Sequence, residues 1–382
     1  MVSERAGAVE PFIAMDVLER ASRMEDVVHL EVGEPDFDPP EAVFDAAVDS
    51  LRAGNTDYTV ARGKPELRRA IADRYDRVYG VTVDPERVVV TPGSSPGLLL
   101  AVATLLDPGD ELLLTDPGYA CYPNFVRAVS GTVETVPLRA EAGFQPRVAD
   151  FEAAMSEDTA GLLVNSPANP TGAVMDGDAL GAVVAAAERE GVTVVADEIY
   201  HGLSYDATEH TVLEYTDDAF VLDGFSKRYG MTGWRLGWMV VPDWAVDAVN
   251  RLAQNLLICA PNFIQDAGVV ALRGEDGDRL DDIRETYRER RDVLLEAVER
   301  WGLDAGYTPE GAYYLLVDVG GLPGDSVDVA DAFLEEAGVA VTPGVDFGDR
   351  ASDCVRLSYA TDTGSVKEGV RRIEKLLATV ER

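Results

Sequence analysis

Between Arg87 and Val241 one pattern recurs: a short, continuous apolar run ends in a polar turn, and most runs are separated by a helix-like segment. The runs are "RVVVTPGSS", "ELLLTDPGY", "TVETVPL", "GLLVNSPANPTG", "VTVVADEIY", "AFVLDGFSK" and "RLGWMVV". A strand with one wet face alternates apolar and polar residues, whereas these runs, "TVETVPL" apart, do not. They read as strands buried on both faces, which is the signature of a mostly parallel sheet covered by helices. "GLLLAVATLL" and "GDALGAVVAAAEREG" supply two of those helices. The expected class is therefore α/β, with a seven-stranded, mostly parallel sheet.

The flanks differ. "MDVLERASRM" reads as an amphipathic helix, "VVHLEVGEPDFDPP" as a short strand and a Gly/Pro-rich loop, and a helix is expected from Glu41, just after Pro40. "ELRRAIADRYDRVYG" is a further amphipathic helix stopped at Gly80. After about residue 260 come a long charged helix ("DRLDDIRETYRERRDVLLEAVERWG"), "GAYYLLVDV", "VADAFLEEAG", "VAVTPG", "CVRLSYAT" and a last helix, "GSVKEGVRRIEKLLATVER". The shorter spacing predicts a second, smaller α+β domain. The expected division is a large domain over 40–265 and a small one built from 1–39 with 266–382.

The 69 acidic and 33 basic residues leave a formal charge of −36. Phosphates repel such a chain, so nucleic acid is excluded as a partner, and an anionic membrane surface with it. The acids are spread along the whole chain, with recurring apolar runs between them, so neither an acidic tail nor disorder explains the charge. A cytoplasm of high salt does, because screening tolerates self-repulsion and surface carboxylates keep the protein dissolved. No apolar stretch approaches about 20 residues, and "MVSERAGAVE" has no apolar core, so a cytoplasmic protein is expected. Cys121, Cys259 and Cys354 lie too far apart to suggest a metal site and read as buried apolar thiols; His29, His201 and His210 form no ligand set, so no metal is expected.

Polar residues gather at the carboxyl ends of the apolar runs, where open α/β sheets hold ligands. They are Ser94 and Ser95, Tyr119, Asn169, Asp197 and Lys227. Lys227 is one of only four lysines and sits among Phe225, Tyr229, Met231 and Trp234. Apolar surroundings favour a neutral, nucleophilic amine. Ser226 and Arg235, with Ser94 and Ser95 ahead of a helix, have the makings of a phosphate cradle.

"SKRYGMTGWRLGW" resembles the lysine signature of the class I/II aminotransferases, the fold type I enzymes that use pyridoxal phosphate. The resemblance runs in order along nearly the whole chain: "VGEPDFDPP", "YTVARGKPELRRAIA", "TPGSSPGLLLA", "DPGYACYP", "NSPANPTG", "ADEIY" and "RLSYAT". It implies a Schiff base between Lys227 and pyridoxal 5'-phosphate, with the lysine later carrying the proton. It implies that Asp197 pairs with the ring nitrogen, that Asn169 and Tyr200 bond the ring oxygen, and that Tyr119 stacks on the ring. Ser94, Ser95, Ser226 and Arg235 would hold the phosphate, joined by Tyr58 from a second subunit of a homodimer. Arg356 would bind the substrate carboxylate, with Asn169 beside it and Gly33 closing over it. The implied activity is a ping-pong transfer of the α-amino group of an L-amino acid to a 2-oxo acid, 2-oxoglutarate or pyruvate. A C–S lyase or other elimination enzyme of the same fold is the alternative. Gly224 departs from the many relatives that carry Ser or Thr there, and the phosphate loop lacks the lysine found in some acid-specific members. Trp234, Tyr229 and Trp238 read mostly as core.

Overall fold

A computed structural model of the chain describes residues 2–275 and 277–379. Its strands are β1 (Val28–His29), β2 (Val88–Thr91), β3 (Glu111–Asp116), β4 (Thr132–Pro137), β5 (Thr159–Asn165), β6 (Thr193–Asp197), β7 (Ala219–Gly224), β8 (Gly237–Val240), β9 (Tyr314–Asp318), β10 (Val339–Ala340), β11 (Thr342–Pro343) and β12 (Cys354–Ser358). Seven of them form the expected sheet, in the order β2-β8-β7-β6-β5-β3-β4. β3 to β7 pair in parallel, and β8 runs antiparallel to both β2 and β7.

The continuous apolar runs are explained by what lies on each face. Successive side chains on a strand point to opposite sides. Val88, Val90, Leu162, Val164, Val194, Ala196 and Val221 pack with the helices Pro65–Tyr79, Gly177–Glu190 and Asn262–Arg273. Their neighbours Val89, Leu163, Val195, Phe220 and Leu222 pack with the helices Ser94–Leu105 and Val246–Leu256 on the other face. Neither face of the inner strands is wet, so neither can be polar; the edge strand β4 is the exception, largely exposed and carrying Thr132, Glu134 and Thr135.

A second core lies under the three-stranded antiparallel sheet β11-β12-β9, where Leu315, Val317, Val355 and Leu357 meet the helices Gly277–Arg300, Ser326–Ala337 and Thr363–Leu377. β1 pairs in parallel with β10. The N-terminal helix Ile13–Ala21 sets Val17 and Ala21 against Leu334 and Ala340. It begins two residues earlier than the sequence pattern predicts, because Asp346 accepts from the N–H groups of Ile13 (3.2 Å) and Ala14 (3.1 Å). The predicted last helix is present to Leu377, and its expected end at 380–382 lies outside the described residues. Among the described residues no helix is long and apolar enough to cross a membrane. The three cysteines are free and half-buried rather than buried.

Candidate active site

A cavity of about 240 Å³ opens between the carboxyl ends of the large sheet and Arg356 on β12. Lys227 enters it from the turn after β7. Its Nζ donates to the Gly33 carbonyl at 2.6 Å and lies 5.7 Å from the centre of the Tyr200 ring. Burial pushes the amine down to about 8. Gly33 is fixed by close approach: a Cβ there would sit 1.9 Å from Tyr314 Oη. Tyr313 O–H donates to the same Gly33 carbonyl at 2.9 Å.

Asp197 closes β6. Burial raises its carboxyl to about 6, opposed by the Tyr122 O–H, which donates to Oδ2 at 2.8 Å, and by the Ile199 N–H at 3.2 Å. A hydrogen-bonded chain leads from this strand end to Arg356. Asn165 Nδ2 donates to the Asp197 carbonyl (2.7 Å), Asn169 N–H to Asn165 Oδ1 (2.8 Å), and Arg356 Nη1 to Asn169 Oδ1 (2.9 Å). Tyr200 and Tyr314 share a hydrogen bond of 2.9 Å between their hydroxyls.

At the other end of the cavity the helix Ser94–Leu105 begins without a side-chain cap. Its first N–H groups are therefore free to meet an anion, and the helix dipole favours one there. Gly93 before it has φ 96°, and a Cβ would lie 2.5 Å from Arg235 Nη2. Arg235 itself is held at φ 56°, a left-handed conformation unusual outside glycine, with Nη1 donating to the Thr232 carbonyl at 2.8 Å. Ser94, Ser95 and Ser226 line the same end. A bare helix end, three hydroxyls and a strained arginine together have the chemistry to hold an anion. Gly224 has its own reason: a Cβ would lie 3.1 Å from Gly237 Cα, where β7 and β8 meet.

Arg356 is buried, with its guanidinium carbon 4.5 Å from the centre of the Tyr314 ring and 4.7 Å from that of Phe347. Nη2 donates to the Glu31 carbonyl (2.6 Å) and to Thr342 Oγ1 (3.1 Å). Nε has no partner, and no carboxylate among the described residues pairs with this cation. A buried arginine without a counter-ion is a site for an incoming carboxylate.

The structure thus brings Lys227, Asp197, Tyr119, Tyr200, Asn169, Ser94, Ser95, Ser226, Arg235, Gly33 and Arg356 to one cavity. Tyr58 is not among its lining residues and is 81% exposed. Trp238 and Tyr229 are core, and Trp234 packs on Phe44 at 5.3 Å. Sequence reasoning passed over Tyr122, Asn165 and Tyr314. Asn165 was the most accessible of them, since it ends β5 directly beside Asp197. Among the described residues no cluster of three or more metal-ligating side chains occurs.

The sequence model of the family described as "Aminotransferase class I and II" matches residues 25–373. The valine–pyruvate aminotransferase of Mycobacterium tuberculosis is 39% identical over 97% of both chains. The aspartate/prephenate aminotransferase of Thermus thermophilus is 37% identical over 98% of both. A solved structure of aspartate aminotransferase from Thermus thermophilus with maleate superposes with a TM-score of 0.95, at 36% identity over 98% of this chain and 99% of that one.

Proposed function

The chain belongs to the class I and II aminotransferases, transaminases that depend on pyridoxal phosphate, and from that premise we propose that it transfers the α-amino group of an L-amino acid to 2-oxoglutarate or pyruvate by a ping-pong mechanism. The observation that carries this reading is that Lys227, a buried guanidinium without a carboxylate partner (Arg356) and a buried carboxylate (Asp197) line a single cavity.

The residues present fit the cofactor. Ser94, Ser95, Ser226, Arg235 and the free N–H groups of the helix start would hold its phosphate. Asp197 would face its ring nitrogen, Tyr119 one ring face, Asn169 and Tyr200 its ring oxygen, and Lys227 its aldehyde. When bound, pyridoxal phosphate supplies an electron sink for the pair left at the substrate Cα.

The chain's own residues do the rest. Arg356, packed against the Tyr314 and Phe347 rings, binds the α-carboxylate through its guanidinium, which no protein carboxylate engages. The relay through Asn169 and Asn165 fixes that carboxylate relative to Asp197. Lys227 Nζ takes the proton leaving the donor Cα and in the second half-reaction delivers one to the Cα of the acceptor. Its depressed basicity leaves a usable neutral fraction near neutral pH. Asp197 keeps its charge where it is needed because Tyr122 donates to it. Tyr200 stays a neutral donor, since burial raises its hydroxyl well above the ordinary range.

Incubating the holoenzyme with L-amino acids and either 2-oxo acid should yield glutamate or alanine, with parallel double-reciprocal plots. Ammonia and a 2-oxo acid formed without an acceptor would overturn the transfer reading.

A further inference from the structure

The cavity has a third wall that neither cofactor nor carboxylate requires. Phe12, Met15 and Leu18 line it from the N-terminal helix Ile13–Ala21 and the residue before it, and Phe125 from the helix Tyr122–Ala128. The segment is fastened from both sides. Glu10 N–H donates to Asn124 Oδ1 at 3.0 Å, and Arg127 pairs with Glu10 at 3.0 Å. Asp346 accepts from the first two N–H groups of the helix, and its neighbour Phe347 is the ring that stacks on Arg356. Phe12 packs edge-on against Tyr119 at 5.9 Å. The apolar wall and the carboxylate anchor are therefore parts of one assembly. That wall and Arg356 line the same cavity.

The charges point the same way. The cations lining the cavity are Lys227, Arg235 and Arg356, and each has a task already. The carboxylate residues lining it are Asp197, already assigned, and Glu31. His29 Nδ1 bonds its Oε1 at 2.7 Å, while Oε2 is buried without a partner. Among this chain's own lining residues a donor side chain therefore meets apolar carbon and no further cation.

We propose, resting on the aminotransferase reading above, that Phe12, Met15, Leu18 and Phe125 form the side-chain pocket and select amino donors with aliphatic or aromatic side chains over aspartate. The gain per added apolar group in such pockets is about tenfold or more. Leucine and phenylalanine should then react faster than alanine by at least about that factor, and aspartate more slowly than either.

The experiment uses the holoenzyme and single donors without any acceptor, following the loss of the visible absorbance of the lysine-linked cofactor. It is repeated with Phe12→Ala and with Leu18→Ala. The leucine-to-alanine rate ratio should fall about tenfold in at least one variant. Aspartate reacting faster than leucine and phenylalanine in the parent enzyme would overturn the proposal, with or without the variants. So would a ratio unchanged in variants that retain the cofactor absorbance. If no amino acid discharges the cofactor, the aminotransferase reading itself fails, and the two failures are told apart.

Discussion

Lys227 is one of four lysines in a chain whose other 29 cationic residues are arginines. A guanidinium stays protonated and forms no comparable bond with an aldehyde, so arginine cannot take its place. Lys227→Arg should fold with an unchanged unfolding midpoint, bind the cofactor without covalent capture, and lose about 10²–10⁴-fold in turnover. Borohydride reduction followed by mass measurement reads the capture directly, and near-normal turnover would sink the assignment. The pH dependence follows from the same amine. Burial lowers it to about 8, so its reactive neutral form gains as pH rises through that value. Capture of pyridoxal phosphate by the apoenzyme should accelerate between about pH 7 and about pH 9 and then level off, a profile centred well below the ordinary lysine range. A second test lies at Gly33, where a Cβ would fall 1.9 Å from Tyr314 Oη. Gly33→Ala must displace either the tyrosine beside Arg356 or the carbonyl that holds Lys227, at a cost of about 1–3 kcal/mol. Thermal unfolding measures it, and an unaffected midpoint with normal substrate affinity would show that the loop yields freely.

At the level of elements, the turn carrying Lys227 stands on buried charge. Asp223 on β7 accepts from Arg228 Nη2 at 2.5 Å and lies 3.9 Å from Arg74 Nη1; Glu275 pairs with Arg74 (3.3 Å), Arg77 (2.7 Å) and Arg228 (3.8 Å). Removing one member leaves arginines in the interior without enough negative charge. Asp223→Ala should cost about 3–5 kcal/mol in urea unfolding, and a loss below about 1 kcal/mol would mean that Glu275 alone suffices. None of this network is legible in the sequence, since its members lie on separate elements. The strands of the large sheet are legible, because burial on both faces forces continuous apolar runs. The helix Asn262–Arg273 is not: it is buried around much of its circumference through Ile264, Ala267, Val269, Ala271 and Leu272, so its pattern has no clean polar face. The predicted boundary at 265/266 falls inside that helix, which packs with Leu67 and Ile71 under the large sheet. We propose instead that the division lies beyond Gly274. Within the site, Lys227, Asp197 and Arg356 stand in recognisable motifs. Tyr122 escapes notice because its partner Asp197 is 75 residues away and the bond exists only in space. The start of the N-terminal helix escapes likewise, set by a carboxylate 333 residues later.

For the whole molecule, two properties remain to be tested, association and charge. Tyr58 lies outside the cavity of its own chain, 81% exposed, and Val60, Leu256 and Ile258 are also apolar residues left in solvent. We propose a homodimer in which Tyr58 reaches the phosphate of the neighbouring site; sedimentation of an active monomer would contradict it, whereas Tyr58→Phe should weaken cofactor binding and leave the dimer intact. The charge of −36 sets the conditions under which any such assembly persists. Most of the cationic side chains are engaged locally, as in Arg20 with Asp331 or Arg371 with Glu368, and the excess acids therefore face one another across the surface. Their repulsion reaches about 30 Å at 0.01 M salt and only about 3 Å at 1 M, while exposed ion pairs each contribute under about 1 kcal/mol. Screening should thus remove more repulsion than attraction. The unfolding midpoint should climb as potassium chloride is raised from about 0.1 M to above 1 M, with most of the gain at the low end where the screening length changes fastest. The same series in sucrose separates screening from solute exclusion. A midpoint that stays flat or falls with salt would remove the reading of this surface as one adapted to a saline cytoplasm, and would require a basic partner to account for the charge.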